Sequence, residues 1–211
     1  MQKSKLSLRN VAIIVVCLAG FSVGNVLVQD STTDQGVVIN GVKWATRNVD
    51  EAGTFAPTPE SAGKFYQWNR RTAWNTTDEK VIDWNSSMPE GTDWEKANDP
   101  SPEGWRVPTL EEMKTLLDEE KVSSEWTIQN GVSGIKFTDK TTGNFLFLPR
   151  AGYRSNNEGT LGSVGLTGSY WGNTQNEGKE DYACSLYFND CVSCKNWDYK
   201  SIGFSIRPIA Y

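Results

Sequence analysis

Histidine is missing from the chain: none occurs among its 211 residues. Because histidine is the side chain whose ordinary pKa lies near neutrality, its absence excludes histidine-based acid–base catalysis, Ser-His-Asp triads and every zinc site that uses an imidazole. The rest of the sequence presents no nucleophile–base pair, no paired catalytic carboxylates and no glycine-rich phosphate loop. We therefore expect a protein that is not an enzyme.

An excess of positive charge is missing too. The 21 basic residues are outnumbered by 26 acidic ones, which gives a net charge of −5, and the basic residues are scattered among the acids. A surface that follows a phosphate backbone needs a stripe of lysine and arginine. We therefore expect no nucleic-acid partner.

The N-terminus has the layout of an export signal. Basic residues precede an apolar run over residues 11–21, and small residues at 22–24 offer a cleavage site. Apolar residues continue to Val28, so residues 1–24 are either a signal peptide or a retained N-terminal membrane anchor. Both interpretations predict an exported protein, secreted or located at the cell surface or in the periplasm, that touches a membrane only through such an anchor.

The remaining chain is predicted to form one domain. Removing residues 1–24 takes away three basic residues and no acidic ones, so the net charge moves from −5 to −8. Residues 25–36 are polar and are interpreted as a linker. Residues 37–211 are long enough to bury a single core.

Local signals predict helices early and strands late. Asn40-Gly41 between two apolar runs predicts a hairpin, and Thr109 with Glu112 predicts a capping box that starts a helix. A second helix is predicted to start at Ser61. Short alternating runs after residue 124 predict an antiparallel sheet. The expected fold class is α+β.

Several stretches of the domain occur in the order found in one known family: INGVKWATRNVD, GKFYQWN, SPEGWRVPTLEEMKTLL, GIKFTDKTTGNFLFLPRAGYR, GSYWGNT and GFSIRPI. Over residues 37–211 the chain resembles the Fibrobacter succinogenes major paralogous domain family. The resemblance implies a loop-rich C-type-lectin-like fold, in which one or two helices brace a small twisted antiparallel sheet. The same fold is used by formylglycine-generating enzymes and by variable proteins of diversity-generating retroelements.

Only three cysteines, Cys184, Cys191 and Cys194, lie in this domain. A zinc site takes about four nitrogen or sulfur ligands, and Cys191-x-x-Cys194 follows a turn instead of opening a helix as a redox dithiol does. We expect no metal and no other cofactor. A three-residue connection at 188–190 would make Cys184 and Cys194 cross-strand partners able to form a disulfide, whereas a two-residue connection would separate them; both remain open.

A ligand-binding surface is predicted between residues 173 and 201. Leu186, Phe188, Val192, Phe204 and Ile206 have the character of framework residues. The polar and aromatic residues between them have the composition of adaptable binding surfaces, and the alternative is an ordinary solvated sheet face. The predicted ligand-binding residues are Asp181, Tyr182, Ser185, Tyr187, Asn189, Asp190, Ser193, Asn196, Trp197, Asp198 and Tyr199.

This segment resembles the C-terminal variable region of retroelement target proteins, in which mutated adenines turn asparagine codons into tyrosine, aspartate, serine or cysteine codons. The sequence therefore predicts an adhesin or receptor-binding domain whose ligand is a protein or a cell-surface glycan. Two alternatives come from other classes. One is an enzyme of the formylglycine-generating, sulfatase-modifying type, whose copper-binding cysteine pair would have to come from Cys184, Cys191 and Cys194. The other is a structural subunit of the pilus-tip kind.

Overall fold

The structure is a computed structural model that describes residues 30–189 and 192–211, with the backbone alone at 192–196. The described strands and the α-helix are, in chain order, β1 Val37–Ile39, β2 Val42–Trp44, β3 Tyr66–Gln67, β4 Trp105–Arg106, α1 Leu110–Lys114, β5 Val122–Gln129, β6 Val132–Asp139, β7 Phe145–Pro149, β8 Tyr153–Arg154, β9 Leu161–Gly162, β10 Gly168–Asn176, β11 Lys179–Phe188, β12 Val192–Tyr199, β13 Gly203–Phe204 and β14 Ile209–Ala210.

The strands form four small sheets, and the neighbouring strands within each sheet are antiparallel. Two are meanders of three consecutive strands, β5-β6-β7 and β10-β11-β12. The other two, ordered β1-β2-β14-β4 and β3-β13-β8-β9, bring together strands that are far apart in sequence. Strands β13 and β14, near the end of the domain, thus pair with β3 and β2, which come early in it.

The hairpin predicted at Asn40-Gly41 is confirmed. Val42 pairs with Ile39, and the two turn residues have φ values of 44° and 81°. Two successive positive φ values are characteristic of a type I′ turn, whose twist matches that of the strands it joins.

The capping box is confirmed as well. The Thr109 hydroxyl accepts from the backbone N–H of Glu112 at 3.2 Å, and the Glu112 carboxylate accepts from the backbone N–H of Thr109 at 2.8 Å. The α-helix nevertheless ends after five residues and continues only as a 3₁₀ turn over Thr115–Leu117. Met113 and Leu116 of this short segment are buried, as its apolar spacing predicts.

The second predicted helix, starting at Ser61, is wrong. This stretch is irregular apart from β3. Gly63 has a φ of +69°, and a Cβ at this position would lie 2.2 Å from the carbonyl oxygen of Val49. The close approach of two backbones, together with a φ of 52° at Asn69, is incompatible with helical geometry.

The predicted fold class, an α+β C-type-lectin-like fold with a sheet braced by one or two helices, is also wrong. The described chain is mostly β, with four small antiparallel sheets and one short helix. The helical apolar period covers only residues 110–117, which is too short to cover a sheet. Instead of being covered by a helix, the sheets pack against one another.

Two buried clusters occupy the two sides of the β10-β11-β12 sheet. The first includes Met113, Leu186 and Phe188 and is shared with α1, β6 and β7. The second includes Trp68, Trp171 and Phe204, at the β3-β13-β8 sheet. Four tryptophans that lie in the stretches carrying the family resemblance are buried: Trp44, Trp68, Trp105 and Trp171.

The polar segment before β1, predicted to be a linker, is held to the domain where it is described. The Asp34 carboxylate is buried, accepts from the Thr46 hydroxyl at 2.8 Å and pairs with Arg47 at 3.1 Å. Across the described residues, no helix has the length and apolar character needed to cross a membrane.

Candidate ligand-binding site

Strands β11 and β12 carry most of the predicted ligand-binding residues, and strand alternation divides those residues between two faces. Cys184, Leu186 and Phe188 of β11 point into the first buried cluster. Ser185 and Tyr187 lie between them in the strand and therefore face the opposite side. The framework role predicted for Leu186 and Phe188 is confirmed, since both are buried.

An open pocket of about 400 Å³ lies on the side of Ser185 and Tyr187. The β10-β11-β12 sheet forms one wall, and the β3-β13-β8-β9 sheet with its adjoining turns forms the other. The volume lies within the range of small-molecule and side-chain binding sites. The lining residues are Tyr153, Ser155, Asn156, Ser169, Tyr187, Asp198, Ile202 and Phe204.

Among the lining residues that the structure describes, the charged one is Asp198, which is opposite Ala183 and diagonal to Ser185. The Ser185 hydroxyl donates to Oδ2 of Asp198 at 2.5 Å, and Ser185 itself is fully buried. Burial raises the pKa of the Asp198 carboxyl above its ordinary value, and the Ser185 hydrogen bond offsets part of that effect. Ser185 thus positions Asp198 and does not itself reach a ligand.

Aromatic rings form the opposite wall. The rings of Tyr153 and Phe204 lie edge to face, with centroids 6.4 Å apart and planes at 88°. Phe204 also packs on Trp171 at 4.4 Å, and the indole N–H of Trp171 donates to the Tyr66 carbonyl at 2.8 Å. A buried aromatic stack therefore holds the wall in place.

Three predicted residues lie on the other face of β11 and β12, away from this pocket. Trp197 is opposite Cys184 and packs against the first buried cluster beside α1. Tyr182 and Tyr199 are cross-strand partners with ring centroids 4.4 Å apart, and the Lys179 ammonium lies 5.3 Å from the Tyr182 ring. The predicted ligand-binding residues are therefore divided between the two faces of β11 and β12.

Asp181 lies near the start of β11, and Asn189 directly follows its end. Asp181 is exposed, and its carbonyl accepts from the Lys200 backbone N–H at 2.9 Å. The Asn189 carbonyl accepts from the Arg150 guanidinium. Asp190 and the side chains of Ser193 and Asn196 lie outside the described residues.

The strand register excludes one of the cysteine arrangements that the sequence left open. Cys184 is opposite Trp197, so Cys194 is not its direct cross-strand partner. Cys184 is fully buried, and a Cβ on Gly172 would lie 2.5 Å from its sulfur. Cys191 and the side chain of Cys194 lie outside the described residues.

Sequence reasoning missed Tyr153 and Asn156 as pocket residues. Both lie in the stretch that follows the β7 strand, where the resemblance suggests framework, and the pairing of β13 with β8 places them at the same pocket as Asp198. Within one strand, Tyr153 alternates with the fully buried Arg154, but two residues are too few for this alternation to predict a pocket wall.

Within residues 30–189 and 192–211, as far as their side chains are described, no group of three or more potential metal ligands occurs. Comparisons with protein-family models, with curated proteins and with solved structures found no match. The geometry of the pocket is therefore the basis for a functional proposal.

Proposed function

We propose that the chain is an exported ligand-binding domain, an adhesin or receptor-binding protein, whose ligand is a protein or a cell-surface glycan. The observation that carries the proposal is the pocket between the two sheets. It gathers Tyr187 and Asp198, both predicted ligand-binding residues, with Tyr153 of another sheet. Rigid tyrosine rings beside serine and asparagine side chains are the composition of adaptable recognition surfaces.

The walls of the pocket also support recognition because they are built on strands. Tyr187 and Asp198 lie in paired strands, and Tyr153 stands against the buried Phe204. Side chains fixed in this way lose little conformational freedom when a ligand binds. Preorganisation of this kind favours binding over mere solvation of a sheet face.

The test is a binding screen with matched variants. The full chain is applied to an array of glycans and of acidic, neutral and basic peptides, together with Tyr187→Ala and Tyr153→Ala. Phe145→Ala is the control, because it removes an exposed ring from β7, a strand of a different sheet. We expect the pocket variants to lose the binding that the control retains. Binding that survives both pocket variants would refute the assignment of this site.

The proposal extends to diversification of residues 173–201 by a retroelement. Buried Leu186 and Phe188 hold the core, whereas Tyr187 between them lines the pocket, so changes at residue 187 alter the ligand surface without touching the core. The test is the flanking DNA, in which a near-copy of the segment encoding residues 173–208 should differ at adenines beside a reverse transcriptase gene. Identical sequences in independent isolates, with no such repeat, would remove this extension.

A further inference from the structure

The carboxylate of Asp198 indicates which chemical group the pocket binds. Within the described residues Asp198 forms no ion pair, and its hydrogen bond comes from the neutral hydroxyl of Ser185. A half-buried carboxylate without a cationic partner is unfavourable in the unliganded protein. A ligand that brings a positive charge would relieve that state.

Among the side chains that the structure describes, the two cations that flank Tyr153 and Asp198 most closely in sequence are committed elsewhere. Arg154, next to Tyr153, donates to the carbonyls of Asn75, Asp78 and Gly159. Lys200, two residues after Asp198, donates to the Gly91 carbonyl at 2.8 Å and to the Gln175 side chain at 2.6 Å, and lies 4.4 Å from the Trp68 ring. Neither supplies a charge to the pocket.

The other lining groups suit an ammonium group. Ring faces attract cations, and Tyr153, Tyr187 and Phe204 supply three rings. Oxygen acceptors beside them come from Ser155 and Asn156. A primary ammonium carries three N–H donors for such oxygens, whereas a quaternary ammonium carries none and would leave them unpaired.

We propose that the pocket binds a primary alkylammonium group, the lysine side chain of a protein ligand, between the Asp198 carboxylate and the rings of Tyr153 and Tyr187. The inference rests on the proposed function, since it names the ligand chemistry of that same site. The acidic balance of the chain, −5 overall, adds a long-range attraction for such a partner. The carboxylate is the specific anchor, and the rings enclose the alkyl stem.

The experiment compares three small probes in NMR titrations of the full chain. The first is Nα-acetyl-lysine methylamide. The second is the norleucine analogue, which has the same stem without the charge. The third is the trimethyllysine analogue, which keeps the charge without N–H donors. We expect the lysine probe to bind and to shift signals of the pocket residues, with both analogues at least roughly tenfold weaker.

Two variants, each lacking one negative charge at a different position, test whether the lysine probe binds at Asp198. Asp198→Asn keeps the shape of the side chain and should weaken the lysine probe by roughly ten- to hundredfold. Glu180→Gln removes an exposed acid from the same strand pair and should change binding less than about twofold, since exposed charges act weakly. Urea unfolding of each variant verifies that it is folded.

Each other outcome overturns the inference in a distinct way. Tighter binding of the trimethyllysine probe would replace the primary ammonium by a quaternary one. Equal binding of the norleucine probe, or equal loss in Asp198→Asn and Glu180→Gln, would show that no specific charge pair forms. If array binding depends on Tyr187 and Tyr153 while the lysine probe neither binds nor competes, the proposed function stands and the ammonium inference falls.

Discussion

The hydrogen bond between Ser185 and Asp198 leads to a prediction that depends on pH. Replacing Ser185 by alanine removes the hydroxyl that donates to Asp198 at 2.5 Å, at a position with no solvent exposure. Loss of a hydrogen bond to a buried charged group costs about 1.5–3 kcal/mol, whereas loss of a neutral one costs about 0.5–1.5 kcal/mol. The free energy of unfolding lost on Ser185→Ala should therefore be larger when Asp198 is ionised.

The direction of the pH effect follows from linkage. The pKa of Asp198 is raised above its ordinary value of 3.8 by burial. A raised pKa means that this group contributes stability below pH 3.8 and that the contribution is lost as pH rises through the folded-state value. Because the hydroxyl stabilises the ionised form, Ser185→Ala raises the pKa further. The variant should be most destabilised near neutral pH and least destabilised below pH 3.8.

The assay is urea unfolding followed by tryptophan fluorescence at several pH values, with a double-mutant cycle that includes Asp198→Asn. The amide removes the buried charge, so Asp198→Asn alone should leave stability near neutral pH unchanged or increased, and Ser185→Ala in that background should lose its pH dependence. An effect of Ser185→Ala that is equal at every pH and in both backgrounds would refute the reasoning.

Three other predictions concern packing and the helix start. Gly168→Ala should lower the free energy of unfolding by about 1–3 kcal/mol through overpacking, because a Cβ there would lie 2.0 Å from the Phe188 ring. Adding Phe188→Leu should recover part of this loss, as measured by urea unfolding. Additive losses from the two changes would contradict the contact. Thr109→Ala should cost about 0.5–2 kcal/mol as a lost helix cap, measured in the same assay, and an unchanged midpoint would argue against the capping box. Burial alone would raise the pKa of Glu112, but hydrogen bonds from Arg106 and Thr109 lower it to about 2. The stabilisation from Glu112 should therefore be present above pH 4.5 and lost as pH falls toward about 2, and Glu112→Gln should abolish that acid-dependent loss in unfolding curves; the same loss in the variant would point to another carboxyl.

Features that the sequence predicted correctly are those decided by neighbours in the chain. Asn40-Gly41 makes its hairpin because the two residues tolerate positive φ, and Thr109 caps its helix because the partner is three residues away. The burial of Leu186 and Phe188 follows from alternation within one strand. Each result depends on geometry within one element.

The features that escaped prediction depend on contacts between distant segments. Gly63 prevents the second helix through its approach to Val49, which no local pattern reveals. Tyr153 lines the same pocket as Asp198 because β13 pairs with β8, and no local sequence pattern predicts that pairing. The predicted fold class failed for the same reason, since helix length is set by tertiary packing more than by the caps.

The two-faced structure of β11 and β12 limits which residues can vary in the proposed surface. Tyr187 lines the open pocket, so its replacement changes ligand contacts at little expense to the core. Asp198 is different, because the hydroxyl that it accepts from belongs to the fully buried Ser185. An apolar residue at 198 would remove the partner of that buried hydroxyl, which costs about 1–3 kcal/mol. Diversity at 198 is therefore restricted to side chains that accept a hydrogen bond, unless residue 185 changes with it.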